Sequence, residues 1–319
     1  MTWLLTGGAG YIGGHVLAAL CADGRSVAVL DDMSSGVRAR VPESMPLVQA
    51  SVLDTNAVRA ALREHEVTGV VHLAARKSVG ESVERPLYYY RENVGGMQSL
   101  LEAMLAEGVG ELVFSSSAAV YGMPDVNEVT EDTPTEPINP YGETKLAGER
   151  LLRAVGDASG LRWVALRYFN VAGASDSALS DTLAANLIPL VLRALDEGRA
   201  PQIFGDGYPT PDGSCIRDYI HVADLADAHV AAARALADGT TAAVYNVGRG
   251  EGFSVKQVLA AVREVTGIHI EPEIVAPRPG DPARLVASAA AIERDLGFTA
   301  SRDLHEIVDS AWRAWTARR

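Results

Sequence analysis

Tyr141 and Lys145 stand four residues apart in the segment Tyr141-Gly142-Glu143-Thr144-Lys145. On a helix that spacing puts a phenol and an ammonium on one face. A nearby ammonium favours tyrosinate and lowers the phenol from its usual pKa of about 10. Such a group can take the proton of an alcohol while a hydride leaves the same carbon. Upstream, Leu112-Val113-Phe114 runs into Ser115-Ser116-Ser117. A hydroxyl at the C-terminal end of a parallel strand faces the ligand crevice of an open α/β sheet. Ser117 is therefore the expected hydrogen-bond partner of the oxygen that becomes a carbonyl. Tyrosine and lysine recur at this spacing on many surface helices, so the pair gains meaning only if a hydride carrier is held nearby.

The N-terminus holds a place for one. Trp3-Leu4-Leu5-Thr6 reads as a short buried strand, and Gly7, Gly10 and Gly13 follow it with G-x-x-G-x-x-G spacing. Residues 14–22 read as a helix with Val16, Leu17 and Leu20 on its apolar side, and a second apolar strand, Val27–Leu30, ends at Asp31. In this order the first glycine turns the chain, the second lets backbone approach a pyrophosphate, and the third lets helix pack on strand. The helix N-terminus offers free N–H groups to phosphates. Asp31 stands where a carboxylate accepts hydrogen bonds from ribose hydroxyls, which argues for NAD over NADP as cofactor.

The elements around these residues alternate. Strands are expected at 3–6, 27–30, 46–49, 69–73, 111–115 and 163–167. Helices are expected near 14–22, 54–64, 86–107 and 140–155, the last opened by Asn139 as N-cap and Pro140 as first helical residue. That order predicts an α/β, Rossmann-like, doubly wound parallel sheet. Beyond residue 170 the alternation loosens, and Pro and Gly cluster at 201–213 and 272–282. We expect residues 1–169 to form an NAD-binding domain. Residues 170–319 should form a smaller α/β substrate lobe with helices near 184–197 and 254–266, and its segment 218–237 should pack back on the first domain.

Composition narrows the class. The 319 residues are 48% hydrophobic and 22% charged, as in a soluble globular protein. No apolar run approaches the ~20 residues of a membrane span, and the first strand breaks at Gly7, too soon for a signal peptide. Cys21 and Cys215 lie far apart with no metal spacing, which reads as two free thiols in a reducing, cytoplasmic setting. The net charge of −13 argues against a nucleic-acid surface, and an anionic substrate would need a locally basic pocket.

The chain resembles the extended short-chain dehydrogenases/reductases, and within them the UDP-glucose 4-epimerase family, over nearly its whole length. The resemblance rests on TGGAGYIGGH (6–15), VGESVERPLYYYRENV (79–94), SSSAAVYG (115–122), NPYGETK (139–145), RYFNVAGA (167–174), YPTPDGSCIRDYIHVADLADAH (208–229) and PRPGDPARL (277–285). It implies a catalytic set of Ser117, Tyr141 and Lys145. It places Gly7, Gly10, Tyr11, Ile12, Gly13, Asp31, Lys77 and Asn93 around NAD, and Asn170, Asn186, Arg217, Arg278 and Asp281 around a UDP-sugar. Such enzymes oxidise the sugar C4 hydroxyl, let the 4-keto sugar swing about its diphosphate link, and return the hydride to the opposite face. It also implies a homodimer through the helices near 86–107 and 140–155; Leu87, Tyr90, Met97, Leu101 and Met104 are apolar candidates for that contact, and a core role explains them equally well.

Departures from the family pattern bear on substrate. Ala50-Ser51 replace the usual Gly-Asp on the adenine side, leaving the Ser51 hydroxyl in place of a carboxylate. Leu285 stands where some members limit the sugar pocket with Tyr or Cys. Arg76, before Lys77, is placed to meet a C6 carboxylate, in which case the substrate is UDP-glucuronate; an Arg paired with a surface acid is the alternative. Dehydratases need an Asp-Glu pair after the catalytic hydroxyl, and here Ala118 and Ala119 can neither donate nor accept a proton. A net dehydrogenase would exchange its cofactor each turnover, and a non-catalytic NAD sensor would have no use for Ser117, Tyr141 and Lys145 together.

Overall fold

A computed structural model describes residues 1–183, 186–278 and 280–318. Six apolar segments form the parallel strands β1 (Thr2–Thr6), β2 (Ser26–Asp31), β3 (Leu47–Gln49), β4 (Val67–His72), β5 (Glu111–Ser117) and β6 (Arg162–Tyr168). A seventh parallel strand joins beside β6 and runs Ala242–Val247. In chain order it is β10, after β7 (Asn170–Ala172), β8 (Gln202–Phe204) and β9 (Ile216–His221). The sheet order is β10-β6-β5-β4-β1-β2-β3. The chain reverses its direction of winding between β1 and β4, and the crevice at their C-terminal ends is where ligands of such sheets bind.

Helices cover both faces. On one face α1 (Tyr11–Ala22) buries Val16, Leu17 and Leu20. On the other lie α2 (Thr55–Glu64), α5 (Gly96–Glu107) and α6 (Pro140–Ser159). Before α5 come two short helices, α3 (Val79–Glu84) and α4 (Pro86–Tyr89), and then one π-helical turn, Tyr90–Gly95. The expected helix near 86–107 is thus interrupted, and π turns of this kind gather at functional sites. Leu87 and Tyr90 are exposed, whereas Met97, Leu101 and Met104 are buried in this chain's own core, which removes those three as candidates for a subunit contact.

The smaller lobe uses α7 (Leu187–Asp196), α9 (Val255–Thr266) and α11 (Leu304–Thr316), which share one apolar cluster. Its main sheet joins β7, β9, β11 (Gly252–Ser254) and β13 (Arg284–Leu285), while β8 pairs with β12 (Glu273–Val275). The segment 218–237 divides between the lobes. Its strand, β9, stays in the small sheet, and its helix, α8 (Val222–Ala237), joins α1 in the core under the large one. The following strand, β10, whose short alternating run the sequence reading leaves in the second lobe, forms the edge of the large sheet. Among the described residues no helix is long and apolar enough to cross a membrane.

Candidate active site

The turn after β1 is shaped by steric contact. A Cβ on Gly13 would stand 2.1 Å from the Gly7 carbonyl oxygen, so only glycine lets α1 start this close to the strand. Gly10 caps α1 without a side chain, and no acidic residue occupies the first turn. The amides of the Tyr11-Ile12-Gly13 turn are thus left to an anion. The Tyr11 phenol itself is engaged elsewhere. It donates to the Gly173 carbonyl at 2.6 Å and ties α1 to the segment that leads into the small lobe.

Asp31 ends β2 and is buried. Its carboxylate accepts from Ala9 N and Met33 N, each at 2.9 Å, and keeps further lone pairs for ribose hydroxyls. Burial pushes its pKa up, against the two amides that hold it down. Ser51 follows β3, with its hydroxyl oxygen taking Leu53 N at 3.2 Å. A bare glycine turn, an open helix end and a buried acid on the next strand fit a dinucleotide, and together these residues would hold NAD.

Lys77 is exposed on the loop after β4. Asn93, on the π turn, spends its amide on three hydrogen bonds within the protein. Its oxygen accepts Arg76 N at 2.8 Å, and its nitrogen donates to Arg76 O at 3.0 Å and to Thr144 Oγ1 at 2.9 Å. Thr144 sits between Tyr141 and Lys145, so Asn93 clamps the loop carrying Lys77 onto the catalytic helix. The Arg76 side chain points at Asp32 and Glu92, 3.4 and 3.7 Å away, and lies over the Tyr88 ring. Its guanidinium is thus engaged by two acids, the arrangement given above as the alternative to a sugar-carboxylate ligand.

The catalytic candidates converge. Asn139 caps α6 by accepting Gly142 N at 2.9 Å, and Pro140 takes the first helical position. A Cβ on Gly142 would come 2.5 Å from the Ala119 carbonyl oxygen, so glycine here lets α6 seat against the turn after β5. Tyr141 and Lys145 both lie on its buried face. The Ser117 hydroxyl lies close enough to the Tyr141 phenol to hold its pKa down, and Ser117 Oγ takes Ala119 N at 3.2 Å. The Lys145 ammonium donates to Ser115 O at 2.7 Å and lies 6.0 Å from the Tyr141 ring centre.

The electrostatics differ from the sequence expectation. Burial raises the Tyr141 pKa, with the nearby Ser117 hydroxyl opposing. Burial lowers Lys145 to about 8, with Glu149 one turn along the helix opposing. The ammonium is directed at the Ser115 carbonyl, so desolvation outweighs it at the phenol. Glu149 forms a buried pair with Arg167 at 2.6 Å and accepts the Ser116 hydroxyl. Arg167 also donates to Tyr121 Oη at 2.9 Å, and Tyr121 donates to Asn246. This network, absent from the sequence reading, braces the strand end that bears Ser117. Its signal was the polar residues inside otherwise apolar periodicities, Glu149 on α6 and Arg167 on β6.

The remaining candidates lie across the crevice. Leu285 packs among Ala118, Val120, Phe169 and Ala287 beside the catalytic turn, and its backbone pairs with Arg217 across β13 and β9. Arg217 is buried and paired with Asp281, with its other nitrogen on Ile216 O at 2.7 Å. Arg278 stacks over the Phe204 ring with 3.8 Å to its centre. Asn170 pairs in register with Tyr219 across β7 and β9. Asn186 caps α7 but makes no side-chain cap bond. Arg217 and Arg278 both act on Tyr208 beside Asp281, in a chain that is acidic overall.

A dinucleotide turn beside a buried tyrosine and lysine on one helical face, next to a serine at a strand end, defines an enzyme class that works on an alcohol carbon. More narrowly, the chain belongs to the NAD dependent epimerase/dehydratase family, whose sequence profile matches residues 3–248. The UDP-glucose 4-epimerase of Azospirillum brasilense is 47% identical over 313 residues, 97% of this chain and 90% of that protein. The UDP-glucose 4-epimerase of Brucella ovis, solved in complex with NAD, superposes with a TM-score of 0.94 at 39% identity, covering 98% of this chain and 97% of the other. That of Bifidobacterium longum, solved with NAD+ and UDP, gives 0.92 at 37% identity, covering 100% and 98%.

Proposed function

We propose that the chain is an NAD-dependent UDP-hexose 4-epimerase that interconverts UDP-glucose and UDP-galactose. The observation that carries this reading is Tyr141 and Lys145 on the buried face of α6 beside the strand end that bears Ser117, with inert Ala118 and Ala119 after it. Bound NAD supplies the acceptor and donor of the hydride. Tyr141, as phenolate, takes the C4 hydroxyl proton and later returns it. Ser117 holds the same oxygen as it becomes a carbonyl and returns to a hydroxyl. Lys145 supplies positive charge behind the phenol. Gly7, Gly10, Gly13, Tyr11 and Ile12 approach the cofactor through backbone, Asp31 takes its ribose, and Ser51 and Lys77 lie beside it.

Asn170, Asn186, Arg217, Arg278 and Asp281 hold the UDP moiety firmly, while the wall beside Leu285 leaves the hexose free to turn. The large lobe, 1–169 with α8 and β10, carries the cofactor, and the rest of 170–319 carries the nucleotide sugar. Homology to enzymes named UDP-glucose 4-epimerase supports the hexose reading. The glucuronate reading needs Arg76 at the sugar, and its guanidinium is engaged by Asp32 and Glu92. Free Cys21 and Cys215 support a cytoplasmic setting. The exposed apolar side chains of α3, α4 and the π turn support a homodimer.

The test is an NMR assay on purified protein given UDP-glucose with no added cofactor. Appearance of UDP-galactose is expected. No interconversion after NAD is supplied would overturn the reading, and turnover of UDP-glucuronate alone would replace it with the glucuronate enzyme.

A further inference from the structure

Tyr208 lies on the loop after β8, and its hydroxyl is buried with no hydrogen-bond partner. A buried phenol ordinarily finds one, so this orphan calls for an explanation. The residue is firmly seated. Its amide donates to Gly213 O at 2.9 Å, and a Cβ on Gly205 would come 3.0 Å from the ring and 2.9 Å from Pro277. The ring packs against the cluster that holds Cys215, and the charges that act on the phenol are those of Asp281, Arg217 and Arg278. Burial, and next the Asp281 charge, raise the phenol's pKa, so it stays a protonated donor.

Arg217 is engaged within the protein at both terminal nitrogens, one by Asp281 and one by the Ile216 carbonyl. To turn the nitrogen that now holds Asp281 onto a diphosphate it must release that acid, and a half-buried carboxylate that loses its cation needs another donor. The unpartnered hydroxyl beside it is that donor.

We propose that Tyr208 is a positioning residue for the nucleotide: Arg217 passes from Asp281 to the substrate diphosphate, and Asp281 accepts the Tyr208 hydroxyl in its place. No covalent bond changes. The free protein holds the arginine against its own acid, and the phenol lowers the cost of letting it go. This rests on the reading of Arg217 as a diphosphate ligand.

The experiment is calorimetric titration of UDP into NAD-loaded enzyme for wild type, Tyr208→Phe, Asp281→Asn, the double variant and Arg217→Ala. A lost hydrogen bond to a charged group predicts that Tyr208→Phe weakens UDP about tenfold or more. In the Asp281→Asn background the same change should act less than about twofold, because no carboxylate is then exposed. Removing an unpartnered hydroxyl leaves the ligand-free protein melting at or above wild type, while the stabilisation given by UDP shrinks. KM for UDP-glucose should rise with kcat nearly unchanged. Wild-type affinity in Tyr208→Phe, or full additivity with Asp281→Asn, overturns the exchange while leaving the Arg217 reading intact. Wild-type UDP binding by Arg217→Ala overturns that reading, and the exchange with it.

Discussion

Tyr141 starts as a poor base and Lys145 as an uneasy cation, because both have been taken out of water. Burial raises one pKa and lowers the other, so each charged form must be stabilised by what binds in the crevice. Replacing Tyr141 by Phe removes the proton acceptor and leaves the cofactor turn untouched. Epimerisation should fall by roughly a thousandfold while NAD stays bound, measured by turnover and by cofactor content. Lys145 makes a separate prediction about stability. It titrates near 8 when folded and near the ordinary lysine value of about 10.4 when unfolded. Between those values the unfolded chain binds more protons, so stability rises with pH and is lost as pH falls through 8. Melting curves should show wild type gaining on Lys145→Met between pH 8 and pH 10, and parallel curves would contradict it.

At this scale the sequence exposed what spacing controls and hid what partners control. Ser117, Tyr141 and Lys145 were legible because a strand end and one helical turn bring them together. The direction of the Arg76 guanidinium was not legible, since Asp32 and Glu92 reach it from other elements. Nor was the balance at Tyr141, which depends on how much water the fold removes.

Among the elements, the alternation of strand and helix was legible because each parallel strand is a continuous apolar run. The edge strand β10 was harder to see, being half-exposed at its start and separated from its neighbours by the small lobe. The break between α4 and α5 was also hidden. A π turn follows from where Asn93 must point, and that is a tertiary demand. Its amide fixes the loop after β4 against Thr144, so the element carrying Lys77 cannot drift from the helix carrying Tyr141. Asn93→Ala leaves Arg76 N, Arg76 O and the Thr144 hydroxyl without this partner. It should cost about 1–3 kcal/mol of stability by thermal unfolding and lower kcat more than the melting loss explains. Asn93→Asp keeps one acceptor and should fall between wild type and Ala. Unchanged kcat in Asn93→Ala would reduce the clamp to a packing detail.

For the whole molecule, the open question is what covers the outer face of α3 and α4. Val79 and Val83 on α3, Leu87 on α4 and Tyr90 on the π turn are 48%, 62%, 85% and 43% exposed. Exposed apolar side chains gathered in one short segment suit an association site, and a second copy of the same chain is the simplest partner because closed twofold contacts use one patch twice. The segment runs into the Asn93 turn. A partner resting there would stiffen the clamp without supplying any group to the site. Light scattering should therefore find wild type near twice its 33.7 kDa chain mass. Leu87→Asp, which forces a charge into that contact, should shift the mass to one chain. Because each crevice is complete within one chain, the monomeric variant should keep bound NAD and measurable turnover with a lower melting temperature. Wild type running as a monomer, or the variant remaining at twice the chain mass, would place the dimer contact elsewhere or remove it.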